Sequence, residues 1–411
     1  MRKGLVALLI LSVFGMDARS KATRKVRNAK QVTLKKNKNT NNNENAEAKQ
    51  AVLIDYDTGD ILYENGARER CAPSSMTKLL TLYILFKALR DGRLHMDDEL
   101  PVSEYAQSME GSRSFFKAGT TAKVEDLIRS IVVHSGNDAS VIVAEALSGS
   151  SELFAEEMNR IAIEEFHLTD SHFTNPSGLP DDDHYSTALD LAIIAQHLIK
   201  DFPEYYHYFS EKVFTVNGIT QYNRNPLLGN SMGVDGLKTG TTKAGGHGLI
   251  ASAKKDGKRL IAVVNGCQNE RGRALAANNL LVLGYKEFVR YKTIKAGAQI
   301  TTEDVWLGDL EQVGLCAHED IDITVPRKFL GELKIEVSAP DFVKAPIAKG
   351  TKVGTLKYRY GKFISKNYDL YTVDSVKEAS FLDKTVSSMK YLFSKSPYAK
   401  SELKKLATNG E

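Results

Sequence analysis

After Pro73 the chain runs Ser74-Ser75-Met76-Thr77-Lys78, then LLTLYILFKALR, apolar almost all round, and closes at Gly92. A helix without a polar face must be covered on every side, so this stretch predicts a domain wrapped around a buried helix. Glycine supplies the stop. The sequence on either side reads as strand at both ends and helix between. AVLIDYDTGDILYE, from Ala51, is two β-rich runs joined at Asp57, Thr58 and Gly59, a hairpin pattern. Amphipathic spacing predicts helices over 124–133, 151–166 and 187–202. A strand over 236–240 follows, then HGLIASAKKDGKRLIAVVNG as a second hairpin, and a helical run over 273–291. Strands at both ends of a helical middle imply an α+β domain spanning 51–291 whose terminal strands share one antiparallel sheet. From 293 to 376 short alternating runs (DIDITVP, LKIEVSAP, TLKYRYG, YDLYTV) separated by Pro and Gly predict a small all-β sandwich domain.

The ends have a different composition. Residues 1–20 read MRKG, an apolar run from Leu5 to Met16, then polar chain, the order of a secretory signal peptide. The run is shorter than the roughly 20 apolar residues a spanning helix needs. Residues 21–50 are rich in Lys, Asn and Thr, too polar to offset ordering entropy, and are expected to be a disordered basic linker. In the tail, 377–411, Leu382, Val386, Met389 and Phe393 recur at steps of four, three and four among Lys384, Lys390 and Lys395. One apolar face with basic flanks suits an amphipathic helix lying on a membrane surface.

Charge excludes one large class of function. The chain carries +4, but the three end segments hold +2, +7 and +3, so residues 51–376 carry −8. An acidic body does not bind a phosphate backbone, so no nucleic-acid role is expected. Cys71, Cys267 and Cys316 stand far apart with no C-x-x-C or H-E-x-x-H, so no metal or other cofactor is implied and at most one intramolecular disulfide is open to the chain.

Ser75 and Lys78 lie three residues apart, on one side of the first turn of the apolar helix. A buried ammonium loses hydration, its pKa falls, and a second cation nearby lowers it further; the neutral amine can then take the serine proton. Other pairs share the spacing, among them Ser114/Lys117 and Ser252/Lys255, but only Ser75 opens a buried helix. Two further elements follow in order: Ser135-Gly136-Asn137 between helices, and Lys238-Thr239-Gly240 closing a strand whose glycine lets a ligand approach the backbone.

With this ordered trio the chain resembles the low-molecular-mass penicillin-binding proteins, the serine-type D-alanyl-D-alanine carboxypeptidases (peptidase family S11). The resemblance spans Ala51 to Val376 and includes APSSMTKLLT, HSGNDAS, FTNPSGLPDDDHYSTALDLA and VDGLKTGTTKAGGHGLIASA. It implies a DD-transpeptidase/β-lactamase-like catalytic domain, a second β domain, export to the outer face of the cytoplasmic membrane, peptidoglycan stem peptide as substrate and covalent inhibition by β-lactams. Carried over residue by residue, it makes Ser75 the acylated nucleophile, Lys78 its general base and Ser135 the proton relay, with Asn137 holding the substrate amide. Lys238 would keep Lys78 deprotonated, and the backbone N–H groups of Ser75 and Thr241 would face the oxyanion. Thr239 and Thr242, flanking Gly240 and Thr241, would bind the substrate carboxylate with support from Arg273, for which Arg271 competes. The loop after Gly240 lacks the aromatic expected near Gly246. His247 is not expected to act as a base, because no acid is placed to orient it. Three other readings stay open: a DD-endopeptidase, a class A-like β-lactamase, and an idle penicillin-binding scaffold. Against the β-lactamase, no E-x-x-x-N spacing occurs between Ser151 and Asp190.

Overall fold

The computed structural model describes residues 47–360, 363–364 and 367–380. The expected signal peptide, nearly all of the linker and the tail beyond Ser380 lie outside the described residues.

The first hairpin and the late strands form one antiparallel five-stranded sheet, in the order Ile61–Asn65, Gln50–Asp55, Lys258–Cys267, Gly246–Lys255, Val234–Thr242. Alternation along Gln50–Asp55 sends Val52 and Ile54 to one face and Ala51 and Leu53 to the other. Both faces are buried, which is why the strand reads as an unbroken apolar run. On one face lies the helix Glu270–Glu287, through Ala276, Ala277, Leu280 and Leu281. Its Gly284 lets it close on the sheet, since an added Cβ would stand 2.5 Å from Leu260 Cδ1.

The other face carries the helical layer. At its centre is the helix Lys78–Arg90, buried along its length except at Lys87 and Arg90, as the unpatterned apolar sequence requires. Val124–Val133, Ser151–Glu164 and Ala188–Asp201 fold as helices where the spacing placed them, and Ser150 and Thr187 cap the last two by accepting Leu153 and Asp190 N–H groups. A further helix, Asn137–Ser148, escaped the spacing test because it is buried through most of its length and presents no amphipathic stripe. No helix among the described residues is long and apolar enough to cross a membrane.

The β region opens earlier than expected. The last helix ends at Glu287, and Phe288–Ile294, taken from sequence as largely helical, is a strand paired with Ile321–Pro326. Its aromatic and β-branched residues find their partner some thirty positions downstream, beyond the reach of a local pattern. A second sheet runs Lys334–Ser338, Lys352–Tyr360, Tyr368–Thr372, Gln312–Cys316, Gln299–Trp306, Val343–Lys344. Ile321, Ile323 and Val325 from the first pair pack with Leu315, Leu356, Tyr358 and Leu370 from the second sheet. Residues 377–379, the start of the expected tail, still pair with this domain through Asp309 N–H to Lys377 O and Ala379 N–H to Leu307 O.

The turn of the first hairpin joins the two domains. Thr324 Oγ1 donates to Asp55 Oδ2 at 3.0 Å, Tyr358 OH donates to Asp60 Oδ2 at 3.0 Å, and Arg290 pairs with Asp57. Asp55 is fully buried, and burial holds its carboxyl above the usual range against the opposing pull of Lys258.

Candidate active site

The buried helix begins with a 3₁₀ turn, Ser74–Thr77, squeezed between two backbones. On one side an added Cβ at Gly178 would lie 1.9 Å from Ser74 O; on the other, one at Gly240 would lie 2.9 Å from Pro73 O. Glycine at both positions lets the loop and the motif strand close on the turn. Ser75 is left half-buried at its mouth.

Lys78 follows, wholly buried. Its Nζ lies 3.0 Å from Ser75 Oγ, 2.7 Å from Asn137 Oδ1 and 2.5 Å from Ser177 O. Its pKa is lowered to about 7, chiefly by burial and then by the positive charge of Arg224, with Asp138 opposing both. A neutral amine has two N–H donors and one lone pair. The amide and carbonyl oxygens occupy the donors, so the lone pair is left for the Ser75 hydroxyl, the arrangement of a general base.

Asn137, the first residue of its helix, is held from both sides. Its Nδ2 donates to Glu110 O at 2.6 Å while Oδ1 accepts from Lys78. Ser135, two residues earlier, is 3% exposed and has backbone φ 69°. Its hydroxyl meets no hydrogen-bond partner among the described residues. An unsatisfied buried hydroxyl is costly, and beside a nucleophile it is free to engage a substrate.

The strand Val234–Thr242 is the edge of the five-stranded sheet and packs beside the Ser74–Thr77 turn. Buried Lys238 is close enough to Lys78 to feel its charge, and its Nζ donates a weak hydrogen bond to Thr239 O at 3.3 Å. Burial comes first in pushing its pKa well below the ordinary lysine value, then the charges of Lys78, Arg224 and Arg273. Thr239 is buried, Thr241 exposed, and the Thr242 hydroxyl accepts from Ser74 Oγ at 3.0 Å and from Gly245 N–H at 2.9 Å, tying the strand end to the turn. Arg273 reaches the strand from the helix behind it: Nη1 donates to Thr241 Oγ1 at 3.0 Å and Gly240 O at 3.2 Å. Arg271 is exposed, so of the two competitors Arg273 faces the motif strand. His247 pairs across the hairpin with Thr241.

The three motifs thus converge from the buried helix, the loop before Asn137–Ser148 and the edge strand. A cavity of about 170 Å³ flanks them between Ser74, Leu179, Asp182 and Thr242. The three cysteines are unpaired, and no group of His, Cys, Asp or Glu among the described residues is placed to hold a metal ion. Sequence reasoning missed Arg224, whose positive charge acts on Lys78, as well as the Ser177 and Glu110 carbonyls. Any residue type could supply those carbonyls, so no motif marks them. A serine facing an amine whose pKa is lowered to about 7, with Ser135 two residues before the Asn137 that bonds this amine, suits acyl transfer through a covalent ester.

Residues 36–269 match the family described as D-alanyl-D-alanine carboxypeptidase (peptidase S11), and residues 288–378 match the penicillin-binding protein 5 C-terminal domain. The chain is 39% identical to D-alanyl-D-alanine carboxypeptidase DacA of Haemophilus influenzae, covering 84% of this chain and 91% of that one. It is 36% identical to DacA of Escherichia coli strain K12, covering 84% and 88%. Among solved structures it is similar to penicillin binding protein 5 from Haemophilus influenzae, with TM-score 0.77 and 38% identity over 80% of this chain and 98% of that chain. It is also similar to ampicillin-bound penicillin-binding protein D2 from Listeria monocytogenes, with TM-score 0.51 and 30% identity over 58% and 97%.

Proposed function

Because the chain belongs to the D-alanyl-D-alanine carboxypeptidase family of serine peptidases, we propose that it removes the terminal D-Ala from peptidoglycan stem pentapeptides through an ester on Ser75. The observation that carries the assignment is the buried Lys78 amine 3.0 Å from Ser75 Oγ, with its two donor sites already taken.

In this reading the substrate lies along the outer edge of Val234–Thr242 as an added strand. Lys78 Nζ takes the Ser75 proton as Oγ attacks the penultimate D-Ala carbonyl, with the Ser75 and Thr241 N–H groups facing the oxyanion. The C–N bond breaks, and the departing amine receives a proton relayed through the Ser135 hydroxyl, which has no hydrogen-bond partner among the described residues. Water then attacks the ester, giving its proton to Lys78 and returning one to Ser75. Arg273 and Thr239 suit recognition of the terminal carboxylate, and Lys238, on the motif strand, stands beside Lys78. A β-lactam would acylate the same hydroxyl. The relative from Listeria, solved in its ampicillin-bound form, supports this.

The sequence at 1–20 supports export, and the spacing of Leu382, Val386, Met389 and Phe393 supports attachment to the outer face of the cytoplasmic membrane. A carboxypeptidase is favoured over an endopeptidase by the second domain, which matches that of penicillin-binding protein 5. The deciding measurement is D-alanine release from a peptide ending Lys-D-Ala-D-Ala, wild type against Ser75→Ala, with penicillin turnover followed in parallel. Release that depends on Ser75, with penicillin retained as an adduct, is expected. Rapid penicillin turnover without release would indicate a β-lactamase, and neither activity an idle scaffold.

A further inference from the structure

Ser135 is held in place by something other than its own side chain. Its φ of 69° lies in the left-handed region, disfavoured by about 1–2 kcal/mol for a residue with a Cβ. With no hydrogen bond from its hydroxyl to any of the described residues, the conformation must be imposed by neighbours. The residues at 134 and 138, on either side of the motif, grip one and the same partner. His134 Nε2 lies 2.8 Å from Ser114 Oγ, and the Asp138 carboxylate accepts the Ser114 N–H at 2.8 and 3.0 Å. Between them Asn137 N–H donates to Ser112 O at 2.7 Å. Ser114 is fully buried, so this seam is shielded from water.

We propose that His134, through Ser114, is the positioning residue that fixes the Ser135 hydroxyl for proton relay, an inference that rests on the acyl-transfer reading above. The imidazole stacks on Phe214 with centroids 6.4 Å apart and planes within 10°. Its other nitrogen, Nδ1, is buried and has no hydrogen-bond partner among the described residues. Burial, with the charges of Arg224 and Lys238 behind it, lowers the imidazole pKa to about 4, so the ring stays neutral through the pH range of the reaction. A neutral ring can brace the loop without adding a further cation to the two lysines. Asp138 completes the brace from the helix side, so removing His134 leaves one of two anchors rather than none.

The test compares wild type with His134→Leu, His134→Gln and Ser114→Ala. It measures the second-order rate of acylation by a fluorescent penicillin, kcat and KM for D-alanine release, and thermal midpoint. Leucine fills the space without a hydrogen bond; glutamine restores a donor. Acylation in His134→Leu and Ser114→Ala should fall roughly tenfold, the effect of losing one hydrogen bond in the transition state, with KM unchanged. The double variant should be no slower than either single one, and His134→Gln should recover most of the rate. Wild-type acylation in His134→Leu, or additive losses in the double variant, would overturn the proposal. If His134→Leu does not fold, Ser114→Ala decides alone, because it deletes one hydroxyl: a wild-type rate there is fatal to the idea. A wild-type protein that itself fails to acylate would instead overturn the reading of the site.

Discussion

Replacing Lys78 by methionine keeps a chain of similar length and removes the amine, and it should abolish acylation while changing how stability depends on pH. The folded-state pKa of Lys78 is about 7 against an ordinary 10.5. Between those values the unfolded chain holds a proton that the folded chain has shed, so the lysine's contribution to stability must rise with pH. Below pH 7 both states are protonated and the full penalty of burying the ammonium applies. At about 1.36 kcal/mol per unit, the wild type should gain about 2 kcal/mol relative to Lys78→Met between pH 7 and pH 9. The variant also leaves Asn137 Oδ1 and Ser177 O without their donor, a loss of about 1 kcal/mol each. That loss does not vary with pH, so the difference between the two pH values is the informative quantity. Lys238, relieved of a like charge in the variant, titrates closer to its ordinary value and moves the comparison in the same direction. The assay is denaturant unfolding of both proteins at pH 7 and pH 9, with penicillin labelling alongside. Stability curves that run parallel would mean Lys78 is an ordinary ammonium in the folded protein, and its role as a base would fail with it.

Gly178→Ala should cost about 2–4 kcal/mol and most of the labelling, because the new Cβ would meet Ser74 O at a position with φ 75°; a wild-type melting curve would refute the close approach. Arg273→Gln should raise KM for the D-Ala-D-Ala peptide, whereas Arg271→Gln, at an exposed position, should leave it unchanged; steady-state kinetics on both variants check the assignment. Truncation after Ser380, which spares the backbone pairs of Lys377 and Ala379, should preserve labelling and end cosedimentation with vesicles containing anionic lipid. Continued sedimentation would place the membrane contact elsewhere.

Much of this site was legible because its chemistry needs particular side chains at short spacing. Ser75 and Lys78 share a helical turn, and Ser135 and Asn137 share a loop, so local patterns expose both. Arg273 required the fold: only the approach of Glu270–Glu287 to the edge strand separates it from Arg271, two residues away. Arg224 and His134 were invisible for a related reason. Each acts on a residue distant in sequence, and a single arginine or histidine is ordinary in any loop. In the fold, alternation and turn residues gave the five-stranded sheet, whereas Asn137–Ser148, buried through most of its length, and Phe288–Ile294, paired across a long connection, carry no local period to read.

The position of Gln50–Asp55 inside the five-stranded sheet has a consequence for how the molecule is made. Ala51 pairs with Val264 and Asp55 with Leu260, so the first strand to leave the ribosome cannot find one of its two neighbours until almost the whole catalytic domain has been synthesised. Contacts this distant in sequence slow folding and leave apolar strands uncovered for longer. The Ser74–Thr77 turn that opens the buried helix is made early and is not closed on its strand side until Val234–Thr242 arrives. A partly made chain therefore has both ends of its serine–lysine pair and no place to use them. The site is assembled only when its late strands arrive, which keeps Ser75 and Lys78 apart from the motif strand during synthesis.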